Sequence, residues 1–154
     1  MKHGILSLVI LFLIVMMSGC SYRYDFVVIN KSDRAIEVQY KLKRYTPETQ
    51  GKYVDINTPA KVTLSEFEKS EYQWRNLAKD QYQFDDLAKT FKVSVAPDEV
   101  LLVEFEYNYR GDENEFALDS IKISSPSGSI NLEGLQAQTE FRMERDRKYI
   151  LRYR

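Results

Sequence analysis

The chain has 154 residues, and its 22 basic and 23 acidic side chains give a formal net charge of −1. Because the two signs are interspersed, the sequence lacks the basic patch of a nucleic-acid-binding protein, and no nucleic acid is expected among its partners. The only histidine is His3 and the only cysteine is Cys20. The chain after Cys20 therefore contains no histidine-assisted nucleophile and no zinc site built from histidine or cysteine.

The start of the chain has the pattern of a signal peptide over residues 1–19. Lys2 supplies a positive charge, and residues 5–17 are apolar except for Ser7. This run is shorter than the roughly 20 apolar residues that a membrane-spanning helix needs. A positive start, a short apolar run and small residues at its end are typical of a secretory signal. An uncleaved membrane helix and an ordinary secretory peptide that leaves a free thiol are the alternatives.

The end of this run carries a family resemblance. The residues Met17-Ser18-Gly19-Cys20 resemble the lipobox of bacterial lipoproteins, which is usually Leu-(Ala/Ser)-(Gly/Ala)-Cys. The resemblance implies cleavage after Gly19, a thioether-linked diacylglycerol on Cys20, and the membrane as a partner through the acyl chains. Two or more acyl chains anchor a protein stably. Ser21 stands where an Asp tends to retain lipoproteins in the inner membrane of enteric-type bacteria, which favours the outer membrane, facing the periplasm.

The remainder is expected to be one β-rich domain held close to the anchor. Residues 20–23 form the lipidated cysteine and a tether of roughly 10 Å at full stretch, and residues 24–154 form the domain. Residues 24–30 and 35–42 are predicted strands. The second strand alternates between apolar and polar residues, which predicts a hairpin with one buried side. Its apolar positions are Ile36, Val38, Tyr40 and Leu42.

The middle of the chain is less regular. Proline and glycine residues break residues 44–60 into a loop with a short strand over 53–56, and residues 61–64 form another short strand.

One helical insertion is predicted next. Ser65 and Glu68 have the spacing of a capping box, and the apolar spacing that follows predicts a helix over residues 66–79, with a further turn or two over 82–89. The apolar positions on this helical face are Phe67, Trp74, Leu77 and Ala78.

The last third of the chain predicts three hairpins, separated by Pro97-Asp98, by the Ser125-to-Gly128 turn and by a charged turn. They pair residues 91–96 with 100–109, 121–124 with 129–132, and 139–143 with 148–154. The fold class is therefore all-β, and the pattern favours an immunoglobulin-like β-sandwich of about seven to nine short strands, with a small β-barrel as the alternative.

An aromatic row is the first candidate binding feature. Phe105, Tyr107 and Tyr109 are spaced to share one face of a strand, opposite Glu104 and Glu106. The favoured interpretation is a row of core side chains. The functional alternative is an exposed platform for a glycan or a partner protein, since aromatic residues are enriched at such surfaces.

Two charged segments are the other candidates. Residues 112–115 and Asp119 offer carboxylates for calcium but lack EF-hand spacing, so a solvated acidic loop is favoured, and no metal or cofactor is expected. The end of the chain is basic, which suits anionic headgroups or an acidic partner, or protects a terminal edge strand from aggregation. Its basic residues include Arg145, Arg147, Lys148, Arg152 and Arg154.

These features predict a non-enzymatic, lipid-anchored envelope lipoprotein that acts as a protein-binding or structural module, with another envelope protein as its partner. A glycan- or peptidoglycan-binding lipoprotein and an inhibitory or immunity-type lipoprotein are the alternatives. Carboxylate chemistry of the glycosidase type is the catalytic option that the composition leaves, and no catalytic spacing supports it.

Overall fold

A computed structural model describes residues 21–43, 58–69, 71–111 and 116–154. These residues form a mostly β fold of eleven strands in two separate sheets, with two short helices. The all-β, sandwich-like prediction is confirmed, and the small barrel is not observed. The strand count exceeds the predicted seven to nine, and the strand order does not confirm the immunoglobulin-like topology.

The elements have the following bounds and order. The strands are β1 (Arg23–Asn30), β2 (Ile36–Leu42), β3 (Ala60–Thr63), β4 (Arg75–Asn76), β5 (Tyr82–Asp85), β6 (Thr90–Val95), β7 (Glu99–Tyr107), β8 (Leu118–Ser125), β9 (Gly128–Glu133), β10 (Arg142–Arg145) and β11 (Lys148–Tyr153). The helices are α1 (Leu64–Phe67) and α2 (Gly134–Glu140). Sheet A has the order β10-β11-β1-β7-β3-β4, and sheet B has the order β5-β6-β2-β8-β9.

Two of the predicted hairpins are wrong, because the chain crosses between the sheets where a hairpin was expected. β1 lies in sheet A and β2 in sheet B, and β6 and β7 are separated in the same way. The hairpins β8–β9 and β10–β11 are confirmed. The local sequence pattern of strand, turn and strand is the same in a hairpin and in a crossing between sheets. The turn alone therefore does not show whether the second strand pairs with the first.

Asn30 joins the two crossing points. Its side chain is fully buried, and its Nδ2 donates to the carbonyl oxygens of Arg34 at 2.7 Å and Val95 at 2.9 Å. Its Oδ1 accepts from the backbone N–H of Ser32 at 3.0 Å, and its carbonyl oxygen accepts from the Asp98 N–H at 3.0 Å. A buried amide with these partners fixes both corners at one end of the sandwich.

The buried residues form two clusters, one on each face of sheet A. In β1, Phe26 and Val28 pack between the sheets, whereas Val27 and Ile29 pack on the opposite face. The sandwich core, between the sheets, includes the alternating positions predicted for β2. The outer cluster, on the other face of sheet A, is covered by α1 and by the segment of residues 71–74. β1 is therefore buried on both faces over most of its length.

The helix predicted over residues 66–79 is wrong. α1 has four residues and begins at a capping box formed by Thr63 and Glu66, rather than by Ser65 and Glu68. The predicted apolar face divides between the two clusters, because Phe67 contacts the outer cluster and Leu77 packs against the sandwich core. One straight helix cannot supply both contacts, and the chain instead returns to sheet A as β4. Tertiary packing here overrides the helical spacing.

Two other elements differ from the prediction. Residues 82–85 form a strand, β5, in place of the predicted helical turns, and they pair with β6. α2 replaces the start of the predicted strand over 139–143 and inserts Ala137 into the sandwich core. The short strand predicted over residues 53–56 lies outside the described residues.

Candidate functional site

Strand direction brings three distant segments to the end of the sandwich where β1 begins. β11 runs parallel to β1 and β7 runs antiparallel to it. The start of β1, the end of β7 and the β10–β11 turn are therefore neighbours, and the Asp25 N–H donates to the carbonyl oxygen of Arg147 at 2.9 Å. We call this the amino-terminal end of the sandwich.

Tyr22 is held at this end by its backbone. Its N–H donates to Asn108 Oδ1 at 2.9 Å, and its carbonyl oxygen accepts from the Asn108 N–H at 2.7 Å. The Arg147 guanidinium lies 4.9 Å from the centroid of the Tyr22 ring, a cation–π distance. Asn108 and Arg147 both have positive φ angles, 56° and 58°, which asparagine tolerates better than most residues.

The predicted aromatic row is divided among three environments. Phe105 is half-buried against the outer cluster, with the Arg23 guanidinium 4.2 Å from its ring centroid. Tyr107 is 59% exposed and contacts Phe105 edge to face, with 5.7 Å between ring centroids. Tyr109 is buried in the sandwich core. The prediction that all three share one face is wrong, because β7 ends at Tyr107 and the left-handed backbone of Asn108 redirects the chain.

The interpretation of the row as core side chains is also wrong for Tyr107, since the carboxylate face of β7 turns inward instead. Glu104 is 6% exposed. The nearby Tyr40 hydroxyl is buried and has no hydrogen-bond partner in the described part of the chain, and burial, followed by the charge of Glu104, raises the pKa of Tyr40. Tyr40 therefore stays protonated at neutral pH and does not serve as a base there. Glu104 and Glu106 lie on one strand and not across a cleft from each other.

A buried carboxylate fastens the 71–74 segment to sheet A. Asp25 is 8% exposed. Its Oδ1 accepts from Arg23 Nε at 2.6 Å, and its Oδ2 accepts from Trp74 Nε1 at 3.1 Å. Burial, followed by the charge of Asp25, raises the pKa of Tyr72. Every member of this group has a structural partner, so we assign it to holding the outer cluster in place.

An open groove of about 750 Å³ lies between the 71–73 segment and the β10–β11 turn. Lys148 Nζ forms one wall, 4.5 Å from the Tyr72 ring centroid and 4.9 Å from that of Phe67. Because its lining contains carboxylates, an amide and basic groups, the groove can bind a polar ligand that carries hydroxyls or charges of either sign. Its lining residues are Glu71, Tyr72, Gln73, Asp146, Arg147 and Lys148.

The terminal strand β11 is not an edge strand, contrary to the prediction, and of the predicted basic residues only Arg145 lies on the edge strand β10. β11 is inside sheet A, and β10 is the edge. Arg152 is paired with Glu144 on β10, with Nε 3.0 Å from Oε1, and Arg154 is exposed. The side chain of Arg145 is outside the described part of the structure. Of the basic residues in this group whose side chains are described, Arg147 and Lys148 lie at the amino-terminal end.

The longest edge strand among the described strands is β9. It has six residues, five of them exposed, with no charge before Glu133. Ile130 is 42% exposed. The other described edges are shorter, and β10 carries Arg142 and Glu144. A long, weakly charged edge is the part of a sheet best suited to pairing with a strand from another chain.

The remaining sequence-predicted sites are as follows. Met17, Ser18, Gly19 and Cys20, and the acidic residues 112–115, lie outside the described residues. Asp119 is paired with Lys41, at 2.8 Å. Within the described ranges, no cluster of three or more His, Cys, Asp or Glu could hold a metal ion. No helix there is both long and apolar enough to span a membrane.

Comparison of the chain with protein-family models, curated proteins and solved structures finds no match. Sequence reasoning missed Asp25 and Asn108, although each carried a signal. Asp25 is a charged residue directly before a run of apolar strand residues, and a carboxylate in such a position is expected to be buried with a polar partner. Asn108 lies between two tyrosines at the point where the strand alternation ends.

Proposed function

We propose that this chain is a lipid-anchored lipoprotein of the bacterial cell envelope, acylated on Cys20, whose β domain is a non-enzymatic protein-binding or structural module. One observation carries the proposal. The lipobox-like motif ends three residues before β1 begins at Arg23, and the intervening Tyr22 is already bound to Asn108. An anchor at Cys20 would hold the folded domain directly at a membrane.

Acyl labelling tests the anchor. Cells that produce the full chain are fed a labelled fatty acid, and Cys20→Ala is compared with Ser21→Ala, the matched change at the adjacent residue. We expect Cys20→Ala to abolish the label and to release or degrade the protein, and Ser21→Ala to keep the label. Label that persists in Cys20→Ala would refute the proposal.

The proposed location is the outer membrane, with the domain facing the periplasm. Ser21 supports this in a host that sorts lipoproteins by the residue after the cysteine. Ser21→Asp should move the protein to the inner-membrane fraction of a sucrose gradient, while Ser21→Thr should leave it in place. Equal distribution of the two variants would contradict the proposed sorting.

The protein-binding role is supported by the exposed edge of β9. A photo-crosslinking amino acid at Ile130 on the edge should capture one envelope protein in living cells. The same group at Lys122, which is exposed on the interior strand β8, should not. Identical products at the two positions would mean that the edge has no specific partner. If the chain is instead an inhibitory or immunity-type lipoprotein, the captured protein would be the one that it inhibits.

The second candidate is glycan or peptidoglycan binding, which the polar groove and the exposed ring of Tyr107 favour. Soluble peptidoglycan fragments should then bind the purified lipoprotein in calorimetry. Gln73→Ala, in the groove, should weaken that binding, and Gln83→Ala, on β5 of sheet B, should not. Absence of binding heat with the native protein, or equal binding by the two variants, would remove this candidate.

A further inference from the structure

The short connection to Cys20 restricts where the amino-terminal end can lie. From Cys20 to Tyr22 the chain reaches roughly 7 Å at full extension. The headgroup region on each side of a bilayer is about 5–8 Å deep. Because the Tyr22 backbone forms two hydrogen bonds with Asn108, one to its side chain and one to its backbone, this reach applies to the folded domain and not only to a loose tail. If Cys20 is acylated, Tyr22 lies within or at the border of the headgroup layer.

The side chains at this end suit such a layer. Tyr22 is 49% exposed and Tyr107 is 59% exposed, and the Arg147 guanidinium, also exposed, packs against the Tyr22 ring. Tyrosine is enriched at the level of the headgroups because its ring is apolar and its hydroxyl is polar. Arginine donates several hydrogen bonds to phosphate oxygens in a fixed geometry. We call Tyr22, Tyr107 and Arg147 the amino-terminal surface.

The opposite end of the sandwich has a different character. It consists of the turns over residues 31–35, 96–98 and 125–128. Among the described residues, none of the large exposed hydrophobic side chains falls in these turns. By contrast, Leu87, 87% exposed, lies in the β5–β6 turn. The carbonyl oxygen of Lys89, in the same turn, accepts a hydrogen bond from the Leu42 N–H at the end of β2. This is the end of β2 that lies nearer to Phe116, whose ring contacts that of Phe26 in β1. Exposed apolar groups are thus found at the end from which the anchor emerges.

Acidic groups also lie close to the amino-terminal surface. Asp25 is neutralised by Arg23, whereas Asp146 and Glu71 are exposed beside Arg147 and the groove. Attraction by net charge is therefore weak. Contact with the bilayer would rest on the two tyrosine rings and on the Arg147 guanidinium close to them.

We propose that the amino-terminal surface binds the phospholipid headgroups of the membrane that holds the anchor, with Arg147 on the lipid phosphates and Tyr22 and Tyr107 at the interface. The domain then lies in one orientation, with the 31–35 turn directed away from the bilayer. This inference rests on the proposed acylation of Cys20 and goes beyond it, because an acyl chain alone would anchor a domain without orienting it.

Spin labels at the two ends test the orientation. The acylated full chain is placed in vesicles of phosphatidylethanolamine and phosphatidylglycerol, and nitroxides are attached to Tyr107→Cys in one sample and to Asp33→Cys in another. Cys20 is the only native cysteine and would be blocked by lipid. We expect collisions with a water-soluble nickel relaxant to be several-fold fewer at position 107 than at position 33, and collisions with oxygen to be more frequent.

The role of the side chains is tested with a reporter that leaves them intact. A nitroxide on Arg110→Cys, at the same end, is measured in the otherwise native surface, in Tyr22→Ser/Arg147→Gln, and in Asp33→Ser/Arg34→Gln as the matched change at the opposite end. The first pair of substitutions should raise nickel accessibility at position 110 toward its value in solution, and the second pair should not. Circular dichroism spectra establish that each variant is folded.

The outcomes separate the two proposals. A protein that does not float with the vesicles would overturn the anchor and, with it, this inference. A protein that floats but shows equal nickel accessibility at positions 107 and 33 would overturn the headgroup contact alone, and would leave the amino-terminal surface open to a protein or glycan partner. An accessibility at position 110 that is unchanged in Tyr22→Ser/Arg147→Gln would also overturn it.

Discussion

The two faces of sheet A are buried in different ways. Between the sheets, packing is by apolar side chains from both sheets, with Phe26 at the centre of an aromatic group that includes Phe116 and Tyr149. On the other face, a four-residue helix and an irregular segment form the cover, and polar contacts such as Trp74 to Asp25 hold it. Strand residues supply most of both clusters, and the difference lies in the cover: a second sheet closes the sandwich core, whereas a short segment held by a few specific bonds closes the outer cluster.

The largest expected effect is in the sandwich core. Phe26→Ala should lower the free energy of unfolding by about 3–5 kcal/mol, because a fully buried ring leaves a cavity. Phe67→Ala in the outer cluster should cost less, about 2–3 kcal/mol, since its neighbours can move in. Trp74 is the only tryptophan and reports on the outer cluster. Urea unfolding should show coincident fluorescence and circular dichroism transitions for Phe26→Ala and an earlier fluorescence transition for Phe67→Ala. Coincident fluorescence and circular dichroism transitions in both variants would mean that the two clusters unfold together.

The next effect concerns the buried carboxylate. Asp25→Ala removes the acceptor for Arg23 and Trp74, and leaving such groups unpaired should cost about 2 kcal/mol. Asp33→Ala, in an exposed turn, is the matched control and should stay within about 0.5 kcal/mol of the native protein. If Asp25→Ala is equally harmless, the polar contacts do not hold the outer cluster.

A single hydrogen bond should have a smaller effect. Trp74→Phe keeps an aromatic ring and removes the Nε1 donor, which should cost about 1 kcal/mol. In combination with Asp25→Ala the loss should be less than the sum of the two, because both variants break the same bond. Thermal unfolding followed by circular dichroism measures this coupling, and strict additivity would show that the bond contributes nothing.

The smallest effect is a pH dependence at α1. Hydrogen bonds from the Thr63 backbone and side chain, and then from Arg75, lower the pKa of Glu66 to about 2. Since the folded pKa lies below the unfolded value of 4.5, the stabilisation is present above pH 4.5 and is lost as pH falls toward 2. The native midpoint of unfolding should therefore fall more steeply across this range than that of Glu66→Gln. Parallel curves would contradict the assignment, and Glu68→Gln is the matched control.

The fold could be predicted where a pattern is local and repeated. Alternation in β2 predicted which side chains are buried, and Ser125 to Gly128 predicted the β8–β9 turn. The crossings between the sheets could not be predicted, because the bonds that join Asn30 to the second crossing involve Val95 and Asp98, which are distant from it in sequence. The candidate surfaces were predicted only in part. Tyr107 was identified, but the separation of its ring from that of Tyr109 depends on the left-handed backbone of Asn108, and no periodicity indicates how far the cover over the outer face extends.

The parallel pairing of β1 with β11 has a consequence for the time course of folding. β1 lies between β11 and β7, so the first strand to leave a ribosome or a translocation channel must wait for the last before it has both neighbours. Pairings between such distant segments form slowly. The chain should therefore remain without a complete sheet A until the last of its described strands has been synthesised. If the chain is exported as we propose, that delay would keep it unfolded while it crosses a membrane.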